Sequence, residues 1–390
     1  MGRTKSISAR KRSFGILDAF FILFSLSPFI IPNPIIVTNI QPYACVFGVM
    51  IIARELLAHR FSVKRSGSAL FGVAAFTFVM SVLVMLFSDF STSAFRAIYN
   101  YFAVMIIPYA AYLSITSLGE FPERAVKALI LLWFGVATVQ FFVSRSFMTG
   151  IISGVRFSSS YRGVVGLASE PSFLGISCFY FLHMISKFKK GGAFFYAITL
   201  LMGVVYAQSA MGIIFIGAYI LMQLVEVTNT RRGAYIWLGA FVAGIAFLII
   251  LNTAMVGTRM HEIYTKFMKG GLDSILKDES AGNRFDALEG AILDPLKNFL
   301  MPMGYTTRIG SGYGGFLCEL GLFSLPILIC ISRAMSVTFK RTVTRAIYFA
   351  VVTFLLFNNT QVGNPLLLFV IGANVAVPSR KASKRNAEGG

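Results

Sequence analysis

Apolar stretches close to 20 residues long recur from one end of the chain to the other, separated by short polar loops that contain Gly, Pro, Lys or Arg. About 20 apolar residues are what an α-helix needs to cross a bilayer. A chain built this way has few options, because in hydrocarbon every backbone N–H and C=O must be bonded within the fold. The 390 residues are 56% hydrophobic with a mean hydropathy of +0.74, which excludes a water-soluble fold.

The apolar runs and their breakers predict helices at 14–31, 35–53, 68–88, 97–117, 125–144, 172–187, 193–208, 210–228, 234–252, 313–332, 346–357 and 365–377. The expected architecture is all-α: a polytopic membrane protein with about twelve transmembrane helices, forming one membrane domain over residues 1–390. Arg3 to Arg12 followed by an apolar run looks like the start of a signal peptide, but no small-residue cleavage site follows Pro28, so this run is read as an uncleaved first helix. No internal repeat or low-complexity tract is visible.

Lys and Arg set the expected orientation, since cytoplasmic loops retain positive charge. With the N-terminus inside, 24 of the 35 basic residues fall in the segments 1–15, 54–66, 118–127, 187–190, 229–233, 333–345 and 378–390. Of the other 11, seven lie in a single long outer loop, leaving Arg96, Arg145, Arg156 and Arg162 in short ones. This alternation places both termini in the cytoplasm. The net charge of +19 is therefore distributed over loops rather than gathered on one soluble face, and nucleic acid is not an expected partner. Cys45, Cys178, Cys318 and Cys330 all sit inside apolar runs and read as small buried hydrophobes, with neither a disulfide framework nor a metal site indicated.

Two outer segments interrupt the regular pattern, 145–171 and the large outer loop 253–312. In the longer one, Met260, Ile263, Tyr264, Phe267 and Met268 have the spacing of an amphipathic helix, expected to lie on the outer membrane surface. A second helix is expected from a cap at Asn283 through Phe285, Leu288 and Ile292, and Asp294-Pro295 resembles a further helix start.

The candidate chemistry lies in these outer segments. Arg156, Arg162, Arg284 and Arg308 are not explained by the orientation rule, and a guanidinium grips phosphate in a fork of two hydrogen bonds. Each alone could equally snorkel to lipid headgroups. Four in two segments favour a shared anionic ligand. Ser169-Glu170-Pro171-Ser172 reads either as a Ser-capped helix start with an acid favoured by the dipole, or as a carboxylate at the membrane edge that accepts a proton or orients a hydroxyl. Gln208-Ser209-Ala210-Met211-Gly212 is a tight turn or a polar lining for a sugar pocket. Gly304 to Gly315, with Tyr305, Arg308 and Tyr313, is a flexible loop or a phosphate cradle. Glu319 lies inside an apolar helix, where an ionisable residue is costly and by default functional. His59, His183 and His261 are scattered, and only His261 lies on the outer side. No Walker loop, dinucleotide fingerprint or zinc-protease histidine pair is present.

Four of these features together resemble the bacterial O-antigen and exopolysaccharide polymerases, a family that includes the O-antigen ligases. They are Gly166-Leu-Ala-Ser-Glu-Pro-Ser-Phe-Leu-Gly175, Gln208-Ser209-x-x-Gly212, Arg284 at a helical stretch of the large outer loop, and Glu319-Leu-Gly321 in the helix that follows. The resemblance covers roughly 160–325. It implies a C-type membrane glycosyltransferase fold in the bacterial inner membrane, acting on an undecaprenyl-diphosphate-linked oligosaccharide without cofactor, metal or nucleotide sugar, with membrane lipids and a chain-length regulator protein as further partners. It also implies that Arg162, Arg284 and Arg308 hold the departing diphosphate, while Glu170 positions or deprotonates the acceptor hydroxyl. Arg156, Ser209, Tyr313 and Glu319 complete the expected substrate contacts. Ligases and some polymerases of the family carry a His-Asn pair about nine residues before the acid; here those positions are Gly310 and Ser311, which lowers the ligase reading. A ligase acting on lipid A core and a flippase or transporter remain the competing expectations, although transporters are often built from repeats with a site at mid-membrane.

Overall fold

The computed structural model describes residues 12–31, 40–58, 65–87, 92–155, 163–227, 252–253, 256–257, 259–276, 279–305, 312–357 and 362–388. Among these the regular elements are all helical, apart from an isolated antiparallel bridge between Ile30 and Ile152. In chain order they are α1 (Ile16–Leu26), α2 (Tyr43–Leu57), α3 (Arg65–Leu86), α4 (Thr92–Leu118), α5 (Glu123–Phe142), α6 (Pro171–Ile185), α7 (Gly192–Leu200), α8 (Ala210–Val227), α9 (Arg259–Leu276), α10 (Glu279–Lys297), α11 (Gly312–Leu320), α12 (Leu325–Ser336), α13 (Thr342–Phe357) and α14 (Pro365–Glu388). Helices overlap every expected apolar segment except 234–252, of which 234–251 lie outside the described residues. Among the described residues, five stretches are long and apolar enough to cross a membrane: Gly67–Leu86, Ala94–Leu118, Glu123–Phe142, Ala210–Val227 and Gly312–Ser336. The protein is an all-helical, membrane-embedded chain.

Several boundaries differ from expectation for local reasons. Pro42 stands at the N-cap of α2, so this helix begins at Tyr43 rather than 35. The second helix expected within 253–312 starts at Glu279 and runs through both Asn283 and Pro295 to Lys297, so neither residue marks a start. A capping residue begins a helix only when the chain before it is not helical, and Glu279 to Gly282 are. The helix Gly192–Leu200 continues as a π segment over Leu201–Tyr206. The expected continuous helix 313–332 is broken: α11 ends at Leu320, a 3₁₀ turn spans Gly321–Ser324, and α12 follows. The amphipathic α9 forms where its periodicity puts it, with non-helical backbone at Gly270 and Gly271.

The centre of the bundle is α4, 78% of whose apolar window is buried. α14 lies along it and Gly372 meets the Pro108 carbonyl so closely that a Cβ would collide with it. Tyr101, Ala103, Ile107, Ala110, Ala111 and Tyr112 give α4 a core surface of alternating ring and methyl size, which α2, α3 and α14 fill.

Helix ends meet in two sets. At one end, Arg12 N donates to Ser117 O (3.2 Å), Lys189 N to the Glu123 carboxylate (2.9 Å), and Lys340 N to Glu226 (3.0 Å). At the other, Ser153 N donates to Phe29 O (2.9 Å), Gly166 is bound by Gln140, and Val164 N donates to Tyr206 O (2.9 Å). Of the basic segments, 187–190 meets 118–127 through Lys189 and Glu123.

The end nearest Arg12 holds a buried charge cluster that sequence reading did not single out. Asp18 is 0% exposed and accepts from Arg12 Nη1 and Nη2 (2.7 and 2.6 Å), Arg54 Nη2 (3.1 Å), Ser114 Oγ (2.9 Å) and Gly15 N (3.1 Å). Glu55 faces Arg54 at 3.0 Å and Arg12 at 3.5 Å, so two acids offset two arginines. These bonds tie α1 to α2 and α4. Replacing Asp18 with Ala would leave two largely buried guanidiniums with one counter-charge, a class of change that costs about 3 kcal/mol or more. Thermal unfolding in detergent should show the loss, and an unchanged midpoint would mean that the cluster is energetically idle.

Candidate functional site

The stretch Gly166–Gly175 and the turn Gln208–Gly212, far apart in sequence, form one packed unit. Gly166 has φ +59, a backbone that glycine adopts freely, and Gln140 reads both its groups: Gly166 N donates to Oε1 (2.7 Å) and Nε2 donates to Gly166 O (2.9 Å). The chain then enters α6 with Glu170 at the N-cap in extended backbone (φ −145, ψ 155) and Pro171 in the first turn, where its missing N–H has no cost. Ser169, expected as the cap, is instead buried one residue earlier. Glu170 is half-buried, and its Oε2 accepts from Ser172 Oγ at 3.3 Å. One helical turn on, Gly175 touches Gly212 of α8: a Cβ on either would lie 2.6 Å from the other's Cα.

Ser209 is the cap of α8. Its Oγ accepts from Gly212 N (3.4 Å), Ile213 N donates to its carbonyl (3.0 Å), and Gln208 just before it turns the chain in left-handed backbone (φ 45). The tight-turn reading of this motif therefore stands, and Ser209 is buried. Gly175 and Gly212 allow the backbones of α6 and α8 to meet, as small residues do between membrane helices. Gly175→Val should force them apart and destabilise the fold by about 1–3 kcal/mol. Gly217→Ala on the same α8, with open space around it, should cost almost nothing. Equal melting of the two variants would contradict the contact.

Glu319 is the one residue of Gly312–Leu320 that is not buried. Its Oε2 accepts from the Tyr101 hydroxyl at 2.5 Å, bridging α11 to the central α4. The Tyr101 ring packs tilted against Phe316, one turn earlier (4.3 Å between centroids, 37° between planes). Tyr101 and Gln140 carried no sequence signal, since a tyrosine and a glutamine in apolar helices read as ordinary amphipathic or capping residues until their partners are known.

Tyr313 is not where the sequence reading put it. It is fully buried, its hydroxyl 2.9 Å from Ser332 Oγ and donating to Leu328 O at 3.2 Å, with its ring edge-on to Phe357. Its ring and hydroxyl are both occupied by packing between α11, α12 and α13, so it does not line a ligand site. The glycine-rich stretch likewise divides: Gly312, Gly314 and Gly315 are buried in the first turns of α11 rather than free in a loop. Arg156, Arg162 and Arg308 lie outside the described residues, and Arg284 is placed by its backbone alone, in the first half of α10.

Of the histidines, His183 is sealed in the core of α6, bonded to Tyr348 Oη (2.7 Å) and Thr338 Oγ1 (2.9 Å), which gives it a structural place. Comparison with protein-family models, curated proteins and solved structures finds no match to this chain.

Proposed function

We propose that this chain is a polysaccharide polymerase of the O-antigen kind. It joins undecaprenyl-diphosphate-linked oligosaccharide units by glycosyl transfer at the outer face of the bacterial inner membrane, with about twelve crossings, a C-type glycosyltransferase-like fold and both termini cytoplasmic. The observation that carries the reading is the meeting of Gly175 with Gly212, which unites two of the motifs behind the family resemblance and leaves Glu170 half-buried at the mouth of α6.

The chemistry asked of such a protein is modest. Transfer expels a lipid diphosphate, so negative charge builds up on the leaving group, and arginines fixed in advance stabilise it without a metal ion. Arg162, Arg284 and Arg308 take that role. The incoming sugar hydroxyl must lose a proton as its oxygen bonds to the anomeric carbon, and Glu170 takes the role of orienting that hydroxyl or accepting the proton. Both substrates are lipid-linked, so they remain in the membrane while their head groups meet above the outer helix ends.

The direct test is the purified protein in nanodiscs with lipid-diphosphate-linked repeat units and no added metal. A ladder of longer lipid-linked glycans is expected. Transfer to lipid A core with no ladder would make the chain a ligase, and absence of transfer to any glycan acceptor would remove the enzyme reading.

A further inference from the structure

Residues 298–305 do not pass over the outside of the bundle. After α10 the chain turns through Phe299 and Leu300, both in left-handed backbone (φ 51 and 56), and then inserts into the break between α11 and α12. In an unbroken helix Leu322 N would donate to Cys318 O. Here Leu322 N donates to Leu300 O (2.8 Å), and Cys318 O accepts instead from Met303 N (2.9 Å). One helical hydrogen bond is replaced by two to the inserted segment. Gly321, with φ +57, permits the break, and a Cβ on it would occupy the place of the Leu300 carbonyl.

The depth of this insertion can be read from α3, whose apolar stretch Gly67–Leu86 matches the bilayer in length. Tyr305 donates to Ser81 O (2.7 Å), five residues or about 8 Å from the Leu86 end at 1.5 Å per residue. Phe323, next to Leu322, meets the Phe76 ring (6.5 Å), which is ten residues or about 15 Å from that end, half the thickness of the hydrocarbon core. The segment therefore descends towards mid-membrane and returns. Its outward side chains suit that depth: Phe299 and Met301 are 87% and 60% exposed, alongside exposed Leu322 and Phe323. Non-helical backbone is tolerated there only when its polar groups are bonded, as the exchanged pair at Leu322 and Cys318 provides.

We propose that 298–305 is a re-entrant segment in the outer half of the membrane, and that with Tyr101 it positions Glu319 towards the glycan acceptor. Glu319 follows Cys318 directly, between the two exchanged bonds, so the insertion fixes its backbone while the Tyr101 hydroxyl fixes its carboxylate. Tyr101 is a positioning residue, and that half of the proposal rests on the polymerase reading. The insertion itself does not. It also makes the outer loop a lever, because α10, which carries Arg284, leads straight into the segment that holds Glu319.

Two measurements test it. A bimane label on Phe299→Cys in nanodiscs, with the wild-type chain treated in parallel as the blank, should be quenched by lipids brominated at mid-chain more than by aqueous iodide. The reverse order would place the segment outside the membrane and overturn the insertion. In the ladder assay, Tyr101→Phe keeps the ring against Phe316 but removes a hydrogen bond to a carboxylate, so turnover should fall by about tenfold or more with KM unchanged. Normal turnover with a lowered midpoint would make Tyr101 structural only. If the wild-type protein forms no ladder, the polymerase reading fails and the positioning role with it, while the bimane result still decides the insertion.

Discussion

Arg284→Ala is expected to reduce glycan polymerisation by about 100- to 1,000-fold, the usual loss when one preorganised donor to a developing anion is removed, with normal amounts of protein in the membrane. Arg162→Ala should do the same. On the proposed polymerase reading the physical basis is the leaving group: a lipid diphosphate gains charge as the glycosidic bond to it breaks, and arginine alone among the cationic residue types offers a two-pronged contact. Replacement by Lys should rescue poorly, since an ammonium restores the charge but not the fork. The ladder assay on membranes normalised for protein content reads this directly. Full activity in both alanine variants would remove the anion-site argument, leaving those arginines as headgroup contacts.

Glu170→Gln is expected to lower turnover by roughly 100-fold or more at unchanged expression, because the amide keeps size and hydrogen bonding but cannot take a proton. The competing account is local and small. At the N-cap of α6 an acid interacts favourably with the helix dipole, an effect worth under about 1 kcal/mol of stability and with no consequence for chemistry. The structure sharpens this comparison, since the Glu170 side chain makes no capping hydrogen bond and instead accepts from Ser172 Oγ. Turnover of wild type and variant across a pH range separates the two. A variant with near-normal turnover would reduce Glu170 to a helix-end acid and move the search for the base to Glu319 and His261.

Much of the fold was legible because apolar length is a coarse and dominant signal: α3, α4, α5 and α8 lie within a few residues of the runs that predict them. What escaped was set by partners distant in sequence. The break at Gly321 looks, in the sequence, like a glycine tolerated inside an apolar helix. Its cause is Leu300, whose carbonyl takes the Leu322 N–H. Tyr313 was placed near the ligand by its neighbours in a glycine-rich stretch, and the packing that buries it comes from Ser332 and Phe357. Asp18 carried a readable signal, an acid inside an apolar run, but its two arginines come from before α1 and from the end of α2. For the candidate site, sequence gave the motifs and the structure joined two of them through Gly175 and Gly212, a contact between residues without side chains that no pattern of polarity reveals.

The polymerase claim is tested most directly by the surface glycan profile of a strain lacking this chain. Loss of the long ladder is expected, with a single repeat unit still attached to the lipid A core, since ligation and export do not depend on chain growth. Loss of all attached glycan, or lipid-linked repeats trapped on the cytoplasmic side, would contradict it.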